Sequence, residues 1–375
     1  MRGLYIHIPF CKQACRYCDF FFSVSLKYLD EYVERLVEEI SRRSVSHKGT
    51  ELSTLYLGGG TPSLLSEAHL QKIISALNDF YTFKETAEWT LECNPDDLNP
   101  ERISFLLSLG FNRLSVGIQS FEEADLTLMR RSHSSQQAKE SVLRASEAGF
   151  SNISIDLIYG LPGQSSQKWE KNLDRALSLP ISHISAYHLT YEPGTVFDHW
   201  RKKGRLVPAL EEESVKQFSI LRERLLANDF DHYELSNFAR SGARSAHNLI
   251  YWSGQAYMGF GPSAHSYDGE QRSWNVSSLR GYLDGVKKGL TISETENLST
   301  KDKYHDYLMS TLRTKWGCDP EQVNSRFGRA YLEHFEKNAQ TFLEEGSLHW
   351  KDGSLAIKPE SWFVTDLILR SLFME

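Results

Sequence analysis

From residue 4 to residue 189, short runs of β-branched and aromatic residues alternate with stretches whose apolar positions recur at helical spacing. The first pattern predicts strands and the second predicts amphipathic helices, and their alternation predicts a parallel sheet with crossover helices. Six strands are predicted: Leu4–Pro9, Thr54–Leu57, Glu88–Cys93, Arg113–Gln119, Ile153–Ile158 and His183–Leu189. Between the first two, Lys27–Arg43 places Leu29, Val33, Leu36, Val37 and Ile40 on one face, as a helix covering a sheet requires. The repeat predicts an α/β fold, a partial (β/α)6 barrel, in which ligands bind at the C-terminal ends of the strands.

Past the sixth strand the pattern changes. A helix is predicted over Glu212–Ala227 and a strand over Asp231–Asn237, followed by a Gly-rich, aromatic, loop-like stretch from Ser241 to Tyr267. Beyond Leu298, helices are predicted around Tyr304–Thr314 and Tyr331–Glu345, then a hairpin over Leu348–Lys358 turned at Lys351-Asp352-Gly353. The expected organisation is a barrel over 1–240, a connecting segment over 241–298 and a small winged-helix-like α+β domain over 299–375.

Charge and cysteine usage narrow the function classes. The 375 residues carry 42 basic and 49 acidic side chains, a net charge of −7, with no long run of like charges. A sequence-independent grip on nucleic acid is therefore not expected, and a winged-helix-like module of mixed charge does not imply DNA binding. No stretch reaches the roughly 18 consecutive apolar residues of a membrane span, and the N-terminus lacks a basic region followed by an apolar segment, so the cytoplasm is the expected location. Five cysteines, three of them packed between positions 11 and 18, do not resemble a disulfide framework. Thiols kept reduced there are free to ligate metal.

Cys11, Cys15 and Cys18 stand in the spacing C-x3-C-x2-C within "FCKQACRYCDF", directly after the first strand. Iron–sulfur clusters are held by cysteine thiolates, normally four of them, so three in one loop leave an iron with an open position. The alternatives are a zinc site completed by a distant histidine, or buried free thiols. Zinc favours a second ligand pair at similar spacing, whereas only isolated Cys93 and Cys318 remain, both expected to pack as small hydrophobes.

The spacing, with Tyr17 before Cys18 and Phe20 after it, resembles the cluster loop of the radical S-adenosylmethionine (radical SAM) superfamily. That resemblance implies a 4Fe-4S cluster whose open iron binds S-adenosylmethionine, and an electron donor to reduce it. "LYLGGGTPS" puts Gly58, Gly59, Gly60 and Thr61 at the end of the second strand, where glycine permits close backbone approach. Glu92, Gln119 and Asp156 add polar groups at three further strand ends that need partners. The resemblance implies that the glycines meet the methionine ammonium, that Glu92, Gln119, Arg131 and Asp156 contact the adenosyl ligand, and that Tyr5 lies beside the cluster loop.

The motifs "YIHIPFC", "LECNP", "RLSVGIQSF", "DLIYGLPGQ" and "HLTYEPGT" are similar to those of the oxygen-independent coproporphyrinogen III oxidase group. The oxidases of that group carry a fourth cysteine two residues after the third, where this chain has Phe20, and an N-terminal arm for which the residues before Cys11 leave no room. "AHNLIYWSG" resembles the H-N-x-x-Y-W motif of the haem chaperone (HemW-type) family, which binds haem and hands it to haem-requiring partners such as respiratory proteins. The resemblance implies haem as cargo, held at His247, Asn248, Tyr251 and Trp252; the alternative is an oxygen-independent coproporphyrinogen III oxidase, against which Phe20 and the missing arm argue. An imidazole suits haem iron and aromatic faces suit a porphyrin plane. The alternative is a packed aromatic turn with a hydrogen-bonded histidine. His7, His188 or His265 are other candidate ligands, and Arg240 and Arg244 are candidate partners of the haem propionates.

Overall fold

The computed structural model describes residues 1–375. Six parallel strands form its centre: β1 (Gly3–Ile8), β2 (Thr50–Gly59), β3 (Tyr81–Cys93), β4 (Arg113–Gln119), β5 (Asn152–Tyr159) and β6 (His183–His188). The crossovers between them carry α1 (Leu29–Arg43), α2 (Glu67–Asn78), α3 (Pro100–Ser108), α4 (Glu123–Met129), α5 (Ser135–Glu147) and α6 (Ser166–Leu177). All six expected strands are present. β2 and β3 run further N-terminally than their apolar runs, because Thr50–Leu52 pairs with Tyr81–Phe83 before a register shift at Leu52/Thr54.

The sheet does not stop at six strands. Its order is β12-β11-β10-β9-β1-β2-β3-β4-β5-β6-β8-β7, with four further helices from the same stretch of chain. After α7 (Val196–Lys202) and α8 (Glu211–Leu226), the segment expected to be one strand is a hairpin of β7 (Asp231–Glu234) and β8 (Asn237–Ala239). The fold-back stacks His232 on Phe238, ring centroids 3.8 Å apart, and sets β8 against β6.

The stretch expected to be loop-like contains α9 (Ala246–Trp252), β9 (Tyr257–Phe260) and β10 (His265–Tyr267), followed by β11 (Gln271–Asn275), α10 (Leu279–Lys287) and β12 (Ser293–Asn297). Two physical reasons hid them. α9 has 7 residues, too few for a helical period to show. β9 has 4 residues and is a strand because it pairs in parallel with β1, more than 200 positions earlier in the chain.

The C-terminal part holds α11 (Thr300–Thr311), α12 (Pro320–Phe327), α13 (Arg329–Glu344), the hairpin β13 (Leu348–Lys351) and β14 (Ser354–Ile357), and α14 (Thr365–Leu372). The expected hairpin turn is there: Asp352 and Gly353 both take positive φ, 48° and 82°, as a type I′ turn demands. Cys318 is fully buried and exchanges two 2.8 Å backbone hydrogen bonds with Leu355, so it packs as a small hydrophobe.

One buried carboxylate ties the added half of the sheet to the barrel. Glu39 on α1, 2% exposed, accepts from Arg43 (2.6 Å) and Asn275 Nδ2 (2.7 Å) on one oxygen. Its other oxygen accepts from the Gly261 N–H (2.8 Å) and the Tyr282 hydroxyl (2.6 Å). Every lone pair is used, and the four donors come from α1, the β9–β10 turn, β11 and α10. Removing the carboxylate leaves the Gly261 N–H and the Tyr282 hydroxyl unpaired and strips the Arg43 guanidinium of its buried counter-charge. Glu39→Ala is therefore expected to destabilise the protein by about 3–5 kcal/mol, with the midpoint of urea unfolding as the measurement.

Candidate cluster and cofactor site

The three cysteines sit on a loop closed at its base. Ser23 N donates to Pro9 O (2.6 Å) and Cys11 N to Ser23 O (3.0 Å), so residues 11–22 leave and rejoin the end of β1 at one point. The loop is pinned on its far side by Gln13 Nε2 to Arg130 O (2.8 Å), Arg16 N to Met129 O (3.1 Å), and the Arg16 guanidinium 4.7 Å from the Trp200 ring centre. Thr61 N donates to Phe10 O (2.7 Å), fastening the glycine run beside it.

The ends of β1 to β6 surround a cavity of about 370 Å³. Cys11, Cys15, Cys18, Gly59, Gly60, Thr61, Glu92, Gln119, Arg131 and Asp156, separated by up to 145 positions, all line it. Two of the expected residues do not. Gly58 lies behind Glu92: a side chain there would bring a Cβ within 2.8 Å of the Glu92 carboxylate. Tyr5 stands deeper in the barrel, bonded to His7 Nδ1 at 3.0 Å. Asn94, Ser115, Tyr187 and His188 also line the cavity. Ser115 and Tyr187 were readable in principle, since they alternate with inward-facing neighbours on β4 and β6.

The sulfur ligands and the cofactor cradle fit the groups implied by the sequence. Cys11, Cys15 and Cys18 are half-buried on one wall, and burial pushes the Cys18 thiol up to about 11, so a positive metal centre is needed to hold it as thiolate. No three His, Cys, Asp or Glu side chains converge as ligands of a single ion do. Cys93 reaches the same cavity, but it is 4% exposed and its thiol donates to Leu91 O at 3.6 Å. Arg131 donates from one nitrogen to Cys15 Sγ (3.3 Å) and from the other to Asn94 Oδ1 and Gly117 O (both 2.7 Å). Burial opposes its charge, but the neighbouring Tyr17 and Cys15 outweigh that and hold the guanidinium firmly protonated. Gly59 has φ 105°, and a Cβ there would fall 2.5 Å from the His7 ring, so only glycine fits. Gln119 is buried with φ 69°, a left-handed conformation held at the mouth of the cavity.

Two carboxylates face the cavity from β3 and β5. Glu92 accepts from Tyr56 OH (2.7 Å) and Gly59 N (3.0 Å), yet burial, with Asp156 nearby, pushes it up to about 7. Asp156, hydrogen-bonded to Ser185 and Ser115, is pushed up to about 6, again chiefly by burial. A cation entering this cavity favours ionisation of both groups and is held by them.

The H-N-x-x-Y-W motif lies at the other end of the barrel. His247 is 1% exposed, its Nδ1 is 2.8 Å from Thr54 Oγ1 at the start of β2, and its Nε2 is 2.8 Å from Tyr251 OH. It stacks on Tyr56 with centroids 5.0 Å apart, and burial, reinforced by Arg113, lowers it to about 3, so it is neutral. Both ring nitrogens are engaged, and in this arrangement His247 offers no free nitrogen. Asn248, Tyr251 and Trp252 instead face cavities next to the C-terminal helices, and Trp252 also lines one of about 450 Å³ at the start of β2. Arg244 is paired with Asp231 at 2.6 Å and Arg240 lies over the Phe230 ring at 4.5 Å, and neither lines a cavity that Asn248, Tyr251 or Trp252 faces. His7 is buried against Phe21 O, His188 lines the large cavity and His265 is exposed on β10.

The cavity acids set a pH dependence of the protein without ligands. Asp156 has a folded pKa near 6, raised from the unfolded value, so its contribution to stability is fully present below about pH 4 and lost as pH rises through 6. Asp156→Asn keeps its partners, because serine hydroxyls donate or accept, and removes the titration. Expected in thermal melts is near-equal stability of the two proteins at pH 4. At pH 7.5 the variant is expected to be more stable by about 1–3 kcal/mol.

Comparison with known proteins gives the site its setting. The model of the radical SAM superfamily matches residues 5–176, and that of the HemN C-terminal domain matches residues 298–364. The chain is 37% identical over 352 residues to the haem chaperone HemW of Bacillus subtilis (strain 168), covering 93% of each chain. It is 34% identical to that of Escherichia coli (strain K12), covering 83% of this chain and 82% of the relative. The crystal structure of coproporphyrinogen III oxidase (HemN) from Escherichia coli, described as a radical SAM enzyme, superposes with a TM-score of 0.87 over 99% of this chain and 90% of its own at 22% identity, a likeness of fold. With no helix long and apolar enough to cross a membrane, three cysteines at the mouth of a six-strand parallel barrel and this extent of identity, the chain belongs to the HemW haem chaperone family of the radical SAM superfamily.

Proposed function

We propose that this protein is a haem chaperone: it binds haem in the cytoplasm and delivers it to haem-requiring proteins, respiratory proteins among them. The observation that carries the reading is identity of 34–37% with HemW proteins over 83–93% of the chain. Phe20 supports it against porphyrinogen oxidation. This side chain, 66% exposed at the rim of the large cavity, stands where the resemblance gives the oxidases a further cysteine.

In this reading Cys11, Cys15 and Cys18 hold a 4Fe-4S cluster and leave its fourth iron to S-adenosylmethionine. When bound, that pair supplies one-electron radical chemistry. The chain's own residues bind and orient. Gly59 and Gly60 let the backbone approach the methionine end, Arg131 fixes a cluster thiol and the strand ends together, and Glu92 and Asp156 meet the cationic ligand with carboxylates whose ionisation its charge completes. His247 acts as a positioning residue that holds α9 on the barrel.

Three outcomes are expected. Anaerobically reconstituted protein retains one cluster, and Cys15→Ala loses its iron and sulfide. The wild type binds one equivalent of haem by Soret titration and, with cluster, S-adenosylmethionine and reductant, produces little or no protoporphyrinogen from coproporphyrinogen III. Robust turnover without haem binding would reverse the assignment. His247→Ala loses two buried hydrogen bonds, so its unfolding midpoint is expected to fall by about 2–3 kcal/mol of stability, while the Soret maximum of any haem bound stays at the wild-type position. A moved Soret maximum would return His247 to the iron.

A further inference from the structure

Lys12, between the first two cysteines, is the one side chain of residues 11–22 engaged in ion pairs. Its Nζ donates to Asp96 Oδ2 at 2.7 Å and is paired as well with Asp97. Both carboxylates belong to a single turn, Pro95–Asp97, that follows β3. Gln13 and Arg16 hold the loop to the end of α4 and Lys12 holds it to the end of β3, so the loop is fixed from two sides of the barrel mouth.

The same turn reaches two further segments. Asp97 accepts from the Ser63 hydroxyl (2.6 Å), just past the glycine run and Thr61, and Asp96 accepts from the Ser132 hydroxyl (3.0 Å), next to Arg131. Asn94, at the start of the turn, donates its N–H to Ser63 Oγ (3.2 Å) and accepts from an Arg131 nitrogen (2.7 Å). One carboxylate, Asp97, is thus shared between Lys12 of the cluster loop and Ser63 of the glycine loop. The Asp97 side chain is 8% exposed and that of Asp96 15%, against 35% for Lys12, so water screens this group less than it screens a surface pair. With the lysine charge removed, two adjacent carboxylates stand side by side with no cation between them, and their repulsion works to open the turn from the loop.

We propose that Lys12 is a positioning residue: through the Asp96–Asp97 turn it sets the cluster loop against the glycine run. It thereby governs how firmly the three thiols hold the cluster and how well S-adenosylmethionine spans from the open iron to Gly59 and Gly60. The inference rests on the cluster reading above and adds what keeps the two loops in register. An arginine at position 12 preserves the charge and its planar fork can meet both carboxylates, whereas a methionine of similar length preserves only the bulk.

Lys12→Met and Lys12→Arg, reconstituted anaerobically beside the wild type, test it. Two quantities are measured: the rate at which iron passes to a ferrous chelator, and the S-adenosylmethionine concentration that half-converts the electron paramagnetic resonance spectrum of the reduced cluster. Circular dichroism of the three apo-proteins checks the fold. The expected result is iron release about fivefold or more faster in Lys12→Met, and about threefold or more S-adenosylmethionine needed for half-conversion. Lys12→Arg is expected to stay within about twofold of wild type in both, with all three apo-proteins folded alike. A Lys12→Met protein that matches the wild type in both quantities overturns the proposal. Losses that Lys12→Arg shares in full overturn it too, because the charge is then not what acts, and so does a Lys12→Met apo-protein already unfolded under the reconstitution conditions. A wild type that takes up no iron and sulfide overturns the cluster reading, and the proposal with it.

Discussion

At the floor of the barrel, Glu88 accepts the backbone N–H groups of Ala246 and His247, each at 3.0 Å, and faces the fully enclosed Arg113 at 3.9 Å. A sheet of six parallel strands closes only part of a circle, so its lower end is open unless something is packed into it. The first turn of α9 fills that place. Because Glu88 satisfies two of the backbone donors that a helix cannot satisfy internally, and Ser245 Oγ a third, the helix is tolerated in the interior, and its imidazole then bridges Thr54 and Tyr251. Everything after residue 246 depends on this attachment. It sets the direction in which the chain leaves to form β9 beside β1, and β9 is the template for β10 to β12. The turn after β9 supplies one of the Glu39 donors, and the last residues of α9 line a cavity beside the C-terminal helices.

How much of this could be read from the sequence follows the range of the interactions. Strands β1 to β6 were legible because a parallel strand covered on both faces must be apolar almost throughout, and runs such as Ile153–Ile158 show it. The cluster loop was legible because its three ligands lie within eight positions, and the strand-end carboxylates because Glu92 and Asp156 interrupt apolar runs. α9 and β9 were not legible: their stability comes from Glu88 and β1, partners far away in the chain. His247 shows the same limit at the level of one side chain. By residue type it is a ligand for iron; what makes it a core residue is Thr54 Oγ1, 193 positions earlier. Arg240 and Arg244 read as free surface cations until Phe230 and Asp231 are brought beside them.

The barrel cavity and the seam beside the C-terminal helices differ in electrostatic character. Asp19, Glu92 and Asp156 line the first against Arg131, and burial raises Glu92 to about 7 and Asp156 to about 6, so near neutral pH Asp156 is mostly ionised and Glu92 only partly. Burying such groups part-protonated costs less than burying them fully charged, and a cation in the cavity completes their ionisation. In the seam basic side chains are already met, Arg272 by Asp306, Lys303 by Glu270 and Arg313 by Asp366. The two regions are joined through the seven residues of α9, whose first turn seals the barrel and whose last turn lines the seam.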